Sequence, residues 1–298
     1  MAESWTVRRE RGNRFAVLLL VSIARWLGRR IARLILHPVV WYYLLTAPAA
    51  RAASRDYLRR ALGRKPRWRD RYRHMYYFAS VTLDRLYMFG GASTTLQVSR
   101  HGYQAVRDHR RRGGGAVLLV SHLGSFEMLR GMGGESPYGR LRVLMDQASG
   151  AIANAVFAAI SPTMRQSVID TSESDVDRVL KIKAALDRGE MVALMADRAQ
   201  PGERSTDCRF LGDLAPFPLS PWLLAGVTRA PVLLVFGLYC GGNRYELHFE
   251  HFSDRLELPR AQRRAHAKAC AQAYAVRLEH YVKMAPYNWF NFYDFWYT

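Results

Sequence analysis

GGGAVLLVSHLGSFEMLRG, residues 113–131, is the stretch on which the reading of this chain turns. Three glycines lead into the apolar run Ala116 to Val120, the pattern of a strand buried on both faces. The run ends in Ser121 and His122, and a helix-like segment beginning at Ser125 follows, with Glu127 in its first turn. His122 is either a core histidine that closes a strand or a base open to a substrate hydroxyl.

Similar apolar runs recur downstream: LRVLMD (141–146), QSVID (166–170), MVALMAD (191–197) and PVLLVFGLYC (231–240). Helical patterns separate them: SFEMLRGMG, NAVFAAI, SDVDRVLKIKAALDRG and PLSPWLLAGVTR. Strands alternating with helices predict an α/β fold with a mixed, largely parallel central sheet flanked by helices. NRYELHFEHF (243–252) alternates like an antiparallel edge strand, and a helix is expected from Arg260 to about Met284. The first 110 residues read as helical, broken near Pro38, Pro48 and Pro66. In open α/β sheets ligands sit at the carboxyl ends of the strands, where His122 and Asp197 both fall.

The formal charge is +19, and residues 1–73 alone carry a net +14. A basic end of this kind faces nucleic acid or an anionic membrane. Its neighbours favour the membrane. FAVLLLVSIARWLGRRIARLIL (15–36) sets Arg25, Arg29 and Arg33 on one helical face, with Trp26, Leu27 and Arg30 beside them. The unbroken apolar part is shorter than the roughly 20 residues of a spanning helix. Arginines follow it without a small-residue cleavage site, so a signal peptide is not expected. An interfacial helix with snorkelling arginines is the expectation, and a packed core helix the alternative. Two parts follow: a basic, helical, membrane-associating segment over 1–73 and an α/β domain over 74–298.

Three distant cysteines, Cys208, Cys240 and Cys270, match neither a disulfide framework nor zinc spacing. The triple glycine precedes a strand and lacks the GK[ST] ending of a phosphate loop, and no GxGxxG opens a helix. No GxSxG elbow occurs. His248 and His251 flank Glu250, but on an alternating strand they face opposite ways, against a metal site. His101, His109 and His266 read as solvated. No cofactor and no metal are expected. What remains is His122 with Glu127: a carboxylate bonded to one ring nitrogen fixes the tautomer and frees the other to take a proton. Such a dyad needs no protein nucleophile.

SHLGSFE resembles the HxxxxD/E box of glycerolipid-type acyltransferases, and the rest resembles the lipid A late acyltransferase family within that superfamily. NAVFAAISPTMRQSVID (154–170) is similar to the family's Asn-rich helix leading to an arginine, here Arg165. MVALMADRAQPGE (191–203) resembles its strand ending in Asp-Gln, with Asp197-Arg198 in that place. RFLGDLAPFPLSPWLLAGVTRAPVLLVFG (209–237) and the terminal PYNWF (286–290) complete a likeness over residues 14–298. The aromatic tail FNFYDFW resembles members from other lipid pathways, including aryl polyene and polyketide-lipid clusters.

The resemblance implies acyl transfer from a thioester, on acyl carrier protein or acyl-CoA, to a hydroxyl or amine of a lipid or glycolipid. It would occur on the cytoplasmic face of a bacterial inner membrane. His122 would be the base and Glu127 its orienting partner. Arg165 or the amides at Gly124–Ser125 would hold the oxyanion, though Ser125 also reads as a helix cap. Asp197 falls where the acceptor is recognised. Arg198 and Arg209 would meet phosphates or else solvent. An acidic carrier protein and an anionic membrane would both be drawn to the basic end. The aromatic tail would line an acyl tunnel or complete the core. The competing classes are a nucleic-acid-binding protein and a non-catalytic membrane scaffold.

Overall fold

Successive residues of a strand point to opposite faces, and β2 (Ala116–Val120), buried at every position, uses both. Val117 and Leu119 enter one core, while Leu118 and Val120 enter another on the far side of the sheet. The computed structural model describes residues 14–89, 96–111, 113–129, 140–145, 168–170, 174–200 and 202–296, with residues 14–27 as helical backbone only.

Seven strands form the main sheet in the order β1-β9-β8-β2-β5-β3-β4. They are β1 (Gln97–His101), β2, β3 (Leu141–Met145), β4 (Val168–Asp170), β5 (Met191–Met195), β8 (Val232–Tyr239) and β9 (Arg244–Ser253). β2 lies at the centre, parallel to both β5 and β8. β9 runs antiparallel to β8, as its alternation predicted, but it is not the edge. β1 covers it in parallel, inside a region the sequence suggested was helical. A separate hairpin, β6 (Ser205–Phe210) with β7 (Asp213–Pro218), was also unforeseen. Its turn puts Leu211 (φ 52°) and Gly212 (φ 95°) in the left-handed region, and Glu279 accepts the Leu211 N–H at 2.6 Å.

The helices are α1 (Arg14–Thr46), α2 (Pro48–Leu62), α3 (Trp68–Phe89), α4 (Tyr103–Arg111), α5 (Asp175–Asp187), α6 (Ser220–Thr228) and α7 (Arg263–Met284). Side chains of α5, α6 and α7 fill the core on the Val117 side, and those of α3 and α4 fill the other. Gly28 (φ 76°, ψ 169°) interrupts α1. Beyond it, Ala32, Leu36, Val40 and Leu44 recur every four residues and pack on α3 at Leu83 and Met75. α3 runs unbroken through residues 73 and 74. No helix among the described residues is long and apolar enough to cross a membrane.

The first helices are tied to the chain's end. Tyr57 donates to the Pro286 carbonyl at 2.7 Å, His74 Nε2 to the Trp289 carbonyl at 2.9 Å, and Tyr287 to Asp70 at 2.7 Å. The aromatic tail completes the core: Trp289 and Phe295 are buried and meet Phe210 edge to face.

Candidate active site

β2 and β5 pair with Val120 opposite Met195, so the next residues of each strand emerge side by side. His122 thereby meets Asp197. The ring Nδ1 lies 2.9 Å from Asp197 Oδ1, and the His122 amide donates to Oδ2 at 3.0 Å. Trp289 Nε1 donates to the same oxygen at 2.9 Å. Asp197 is wholly buried, yet 35% of the His122 side chain remains open.

Burial by itself would raise the Asp197 pKa. His122, the Arg198 charge and the Trp289 hydrogen bond prevail and hold it well below the carboxylate range. Burial pushes the His122 pKa down, and Arg198 and Arg85 push the same way against the attraction of Asp197. The pair is therefore an ionised carboxylate beside a neutral imidazole. A neutral ring bonded to a carboxylate through Nδ1 carries its proton there, leaving the Nε2 lone pair free.

The sequence had assigned that ring contact to Glu127. After His122 the described chain enters a 3-10 turn, Phe126–Leu129, where a regular α-helix was expected to open. It presents Glu127 to two other groups: Ser125 Oγ donates to it at 2.9 Å, and Arg85 Nη2 pairs with it at 3.0 Å. Ser125 thus bonds a side chain instead of capping a helix.

The amides at Gly124 and Ser125 are not available as oxyanion donors. The Gly124 N–H donates to the Asn288 carbonyl at 2.8 Å, and that of Ser125 to the Gly237 carbonyl at 3.2 Å. Gly124 is required here twice over: its φ is 59°, and a Cβ would lie 2.0 Å from the Gly237 oxygen. These bonds stitch the loop after His122 to β8 and to the C-terminal segment, fixing the histidine's position.

Arg198 is not a free phosphate ligand. Its Nη2 donates to the Phe290 carbonyl at 2.7 Å, its guanidinium lies over the Trp289 and Tyr293 rings, and its side chain is 10% exposed. It fastens the C-terminal segment under Asp197. Arg209 is exposed on β6 and points away, because its neighbour Phe210 is the one that packs on Trp289. Arg165 lies outside the described residues.

Of the proposed membrane contacts, the Arg25, Trp26 and Leu27 side chains also lie outside them. Arg30 is exposed. Arg29 and Arg33 turn inward instead. Arg29 binds Asp84 through both oxygens at 2.7 and 2.8 Å, and Arg33 adds a bond at 2.9 Å. Helical spacing put the two on one face, but the carboxylate that made that face inward belongs to another helix.

Arg85 and Trp289 were not foreseen as site residues. Nothing local marks Arg85, one of several arginines along α3. Trp289 carried a signal in the terminal PYNWF, although its contact with Asp197 did not show.

Residues 3–298 match the family described as bacterial lipid A biosynthesis acyltransferase, and the chain belongs to that family. A search of the curated proteins finds no match.

Proposed function

We propose that this member of the lipid A biosynthesis acyltransferase family moves a fatty acyl group from a thioester to a hydroxyl or amine of a membrane lipid or glycolipid, with His122 as general base. The observation carrying this reading is the His122 ring, locked by Asp197 through Nδ1, with no hydrogen-bond partner of Nε2 among the described residues. Nε2 takes the acceptor proton as the acceptor oxygen or nitrogen attacks the thioester carbonyl. The tetrahedral intermediate collapses, expelling the thiolate, which recovers the proton from the imidazolium. Asp197 orients the ring and stabilises the imidazolium while that proton is held.

Glu127 has a different part from the one its spacing suggests. Held by Ser125, it fixes Arg85, whose charge bears on His122. Arg85 then stabilises the oxyanion, since the Gly124 and Ser125 amides are occupied. The family likeness supports acyl carrier protein or acyl-CoA as donor and a lipid or glycolipid as acceptor.

An acceptor held in a leaflet requires the enzyme to sit on it. The outward side of α1 exposes Leu34, Trp41, Tyr42 and Leu45, and Trp68 of α3 lies beside Trp41 at 5.7 Å. Aromatic rings of this kind favour the headgroup level. We assign membrane contact to this surface and to Arg30, on the cytoplasmic face of the inner membrane.

The test is incubation of the purified protein with radiolabelled acyl carrier protein or acyl-CoA and a lipid extract. Labelled lipid is expected from the wild type and background alone from His122→Ala. Equal product from both would overturn the mechanism.

A further inference from the structure

One cluster of side chains has no part in acyl transfer. β1 lies on β9 with His101 opposite His248 and Ser99 opposite Glu246, so His101, Glu246 and His248 share one face of the sheet edge. It is the face covered by α7, whose Tyr281 ring lies 5.0 Å from that of His248. Two strands thus contribute to one spot.

The ligand-type atoms of His101, Glu246 and His248 all lie within 4.8 Å of one another, the one such trio of metal-ligating type found among the described residues. His248 Nε2 is 3.2 Å and His101 Nε2 4.0 Å from Glu246 Oε2. The imidazoles stack at 4.5 Å, nearly parallel. The cluster is partly sheltered, with side-chain exposures of 15% for His248, 39% for Glu246 and 52% for His101.

We propose that His101, Glu246 and His248 bind a divalent transition-metal ion of the zinc class. Two imidazoles and a carboxylate, with water in the fourth position, form a donor set that suits zinc or cobalt, whereas magnesium and calcium require oxygen. Metal–nitrogen bonds run roughly 2.0–2.1 Å, so the ion draws the donors together. Parallel rings cannot aim their lone pairs at one point, so the half-exposed His101 ring turns out of the stack. The ion would clip β1, held in the sheet along β9 alone, to the β8–β9 hairpin. None of these three residues is hydrogen-bonded to His122, Asp197 or Glu127, so the inference stands apart from the catalytic reading.

The experiment uses the untagged full-length protein, stripped by a chelator and titrated with zinc by calorimetry and with cobalt by visible spectroscopy. One equivalent per chain is expected, together with a zinc-dependent rise in Tm and cobalt d–d absorption bands. His101→Gln, at an exposed strand end, should fold normally and lose both the saturable binding and the Tm rise. Absence of saturable binding in the wild type, or equal binding by His101→Gln, would overturn the site.

Discussion

Among the described residues two carboxylates, Asp84 and Asp197, are fully buried, and their surroundings differ in one respect. Asp84 accepts from Arg29, Arg33 and the Tyr245 hydroxyl, the last at 2.7 Å. Asp197 accepts from the His122 ring and amide and from Trp289. Each satisfies its lone pairs, as burial of a charge demands. The partners of Asp84 are permanent cations and a phenol with no task left, and they rivet α1 and α3 to β9. One partner of Asp197 keeps a second nitrogen open on the solvent side. The first cluster is architecture. The second is the same electrostatic arrangement with one valence left for chemistry.

Substitution separates the two most sharply. Asp197→Asn retains the carboxamide's size but accepts poorly from both ring and indole, and it permits the wrong imidazole tautomer. Acyl transfer should fall by about 10²–10⁴-fold, measured as kcat/KM with the acyl donor, with a smaller loss than in His122→Ala. Asp84→Ala should instead leave two part-buried arginines unpaired and destabilise the fold by about 3–5 kcal/mol, read by urea unfolding. The folded fraction of that variant should retain its activity per molecule. A large catalytic loss in folded Asp84→Ala would erase the distinction.

Lowered pH probes the histidines in both roles. His74, buried between Ser54 and the Trp289 carbonyl, is pushed down to about 4 by burial, with the Arg198 charge acting the same way. His122 is shifted in the same direction. A depressed folded pKa means that the unfolded chain takes up protons first. The stability tied to His74 is therefore complete above the ordinary value of 6.5 and is lost as pH falls towards about 4. His74→Asn should flatten that slope of unfolding free energy against pH. The acid limb of activity should lie below the ordinary histidine value, because His122 stays neutral there.

The smallest effect is expected at the outward face of α1. Trp41→Ala removes one exposed ring and should weaken flotation with anionic vesicles while sparing the site. Full retention of vesicle binding by a Trp41→Ala/Trp68→Ala double variant would move membrane contact elsewhere.

The contrast also explains what could be read from sequence. The strands carrying His122 and Asp197 are continuous apolar runs, so both strand ends were legible. β1 was not: as an edge strand it alternates exposed and half-buried residues, QVSRH, and Val98 alone gives it no apolar run. The β6–β7 turn puts a leucine where glycine would have marked it. Glu127 drew attention because it is five residues from His122, whereas Asp197 is 75 residues away and Trp289 further still. Adjacency of β2 and β5 creates the His122–Asp197 pair, and sheet order is not written in local periodicity. The same limit reversed Arg29 and Arg33, whose shared face was correct but whose direction depended on Asp84.

The central claim is that Asp197 holds His122 as the Nδ1–H tautomer with Nε2 free. Heteronuclear NMR of the imidazole nitrogens across a pH titration measures this directly. The account predicts a protonated Nδ1, a bare Nε2, and a neutral ring persisting below the ordinary histidine pKa. A proton on Nε2, or a ring that titrates at or above the ordinary value, would contradict it.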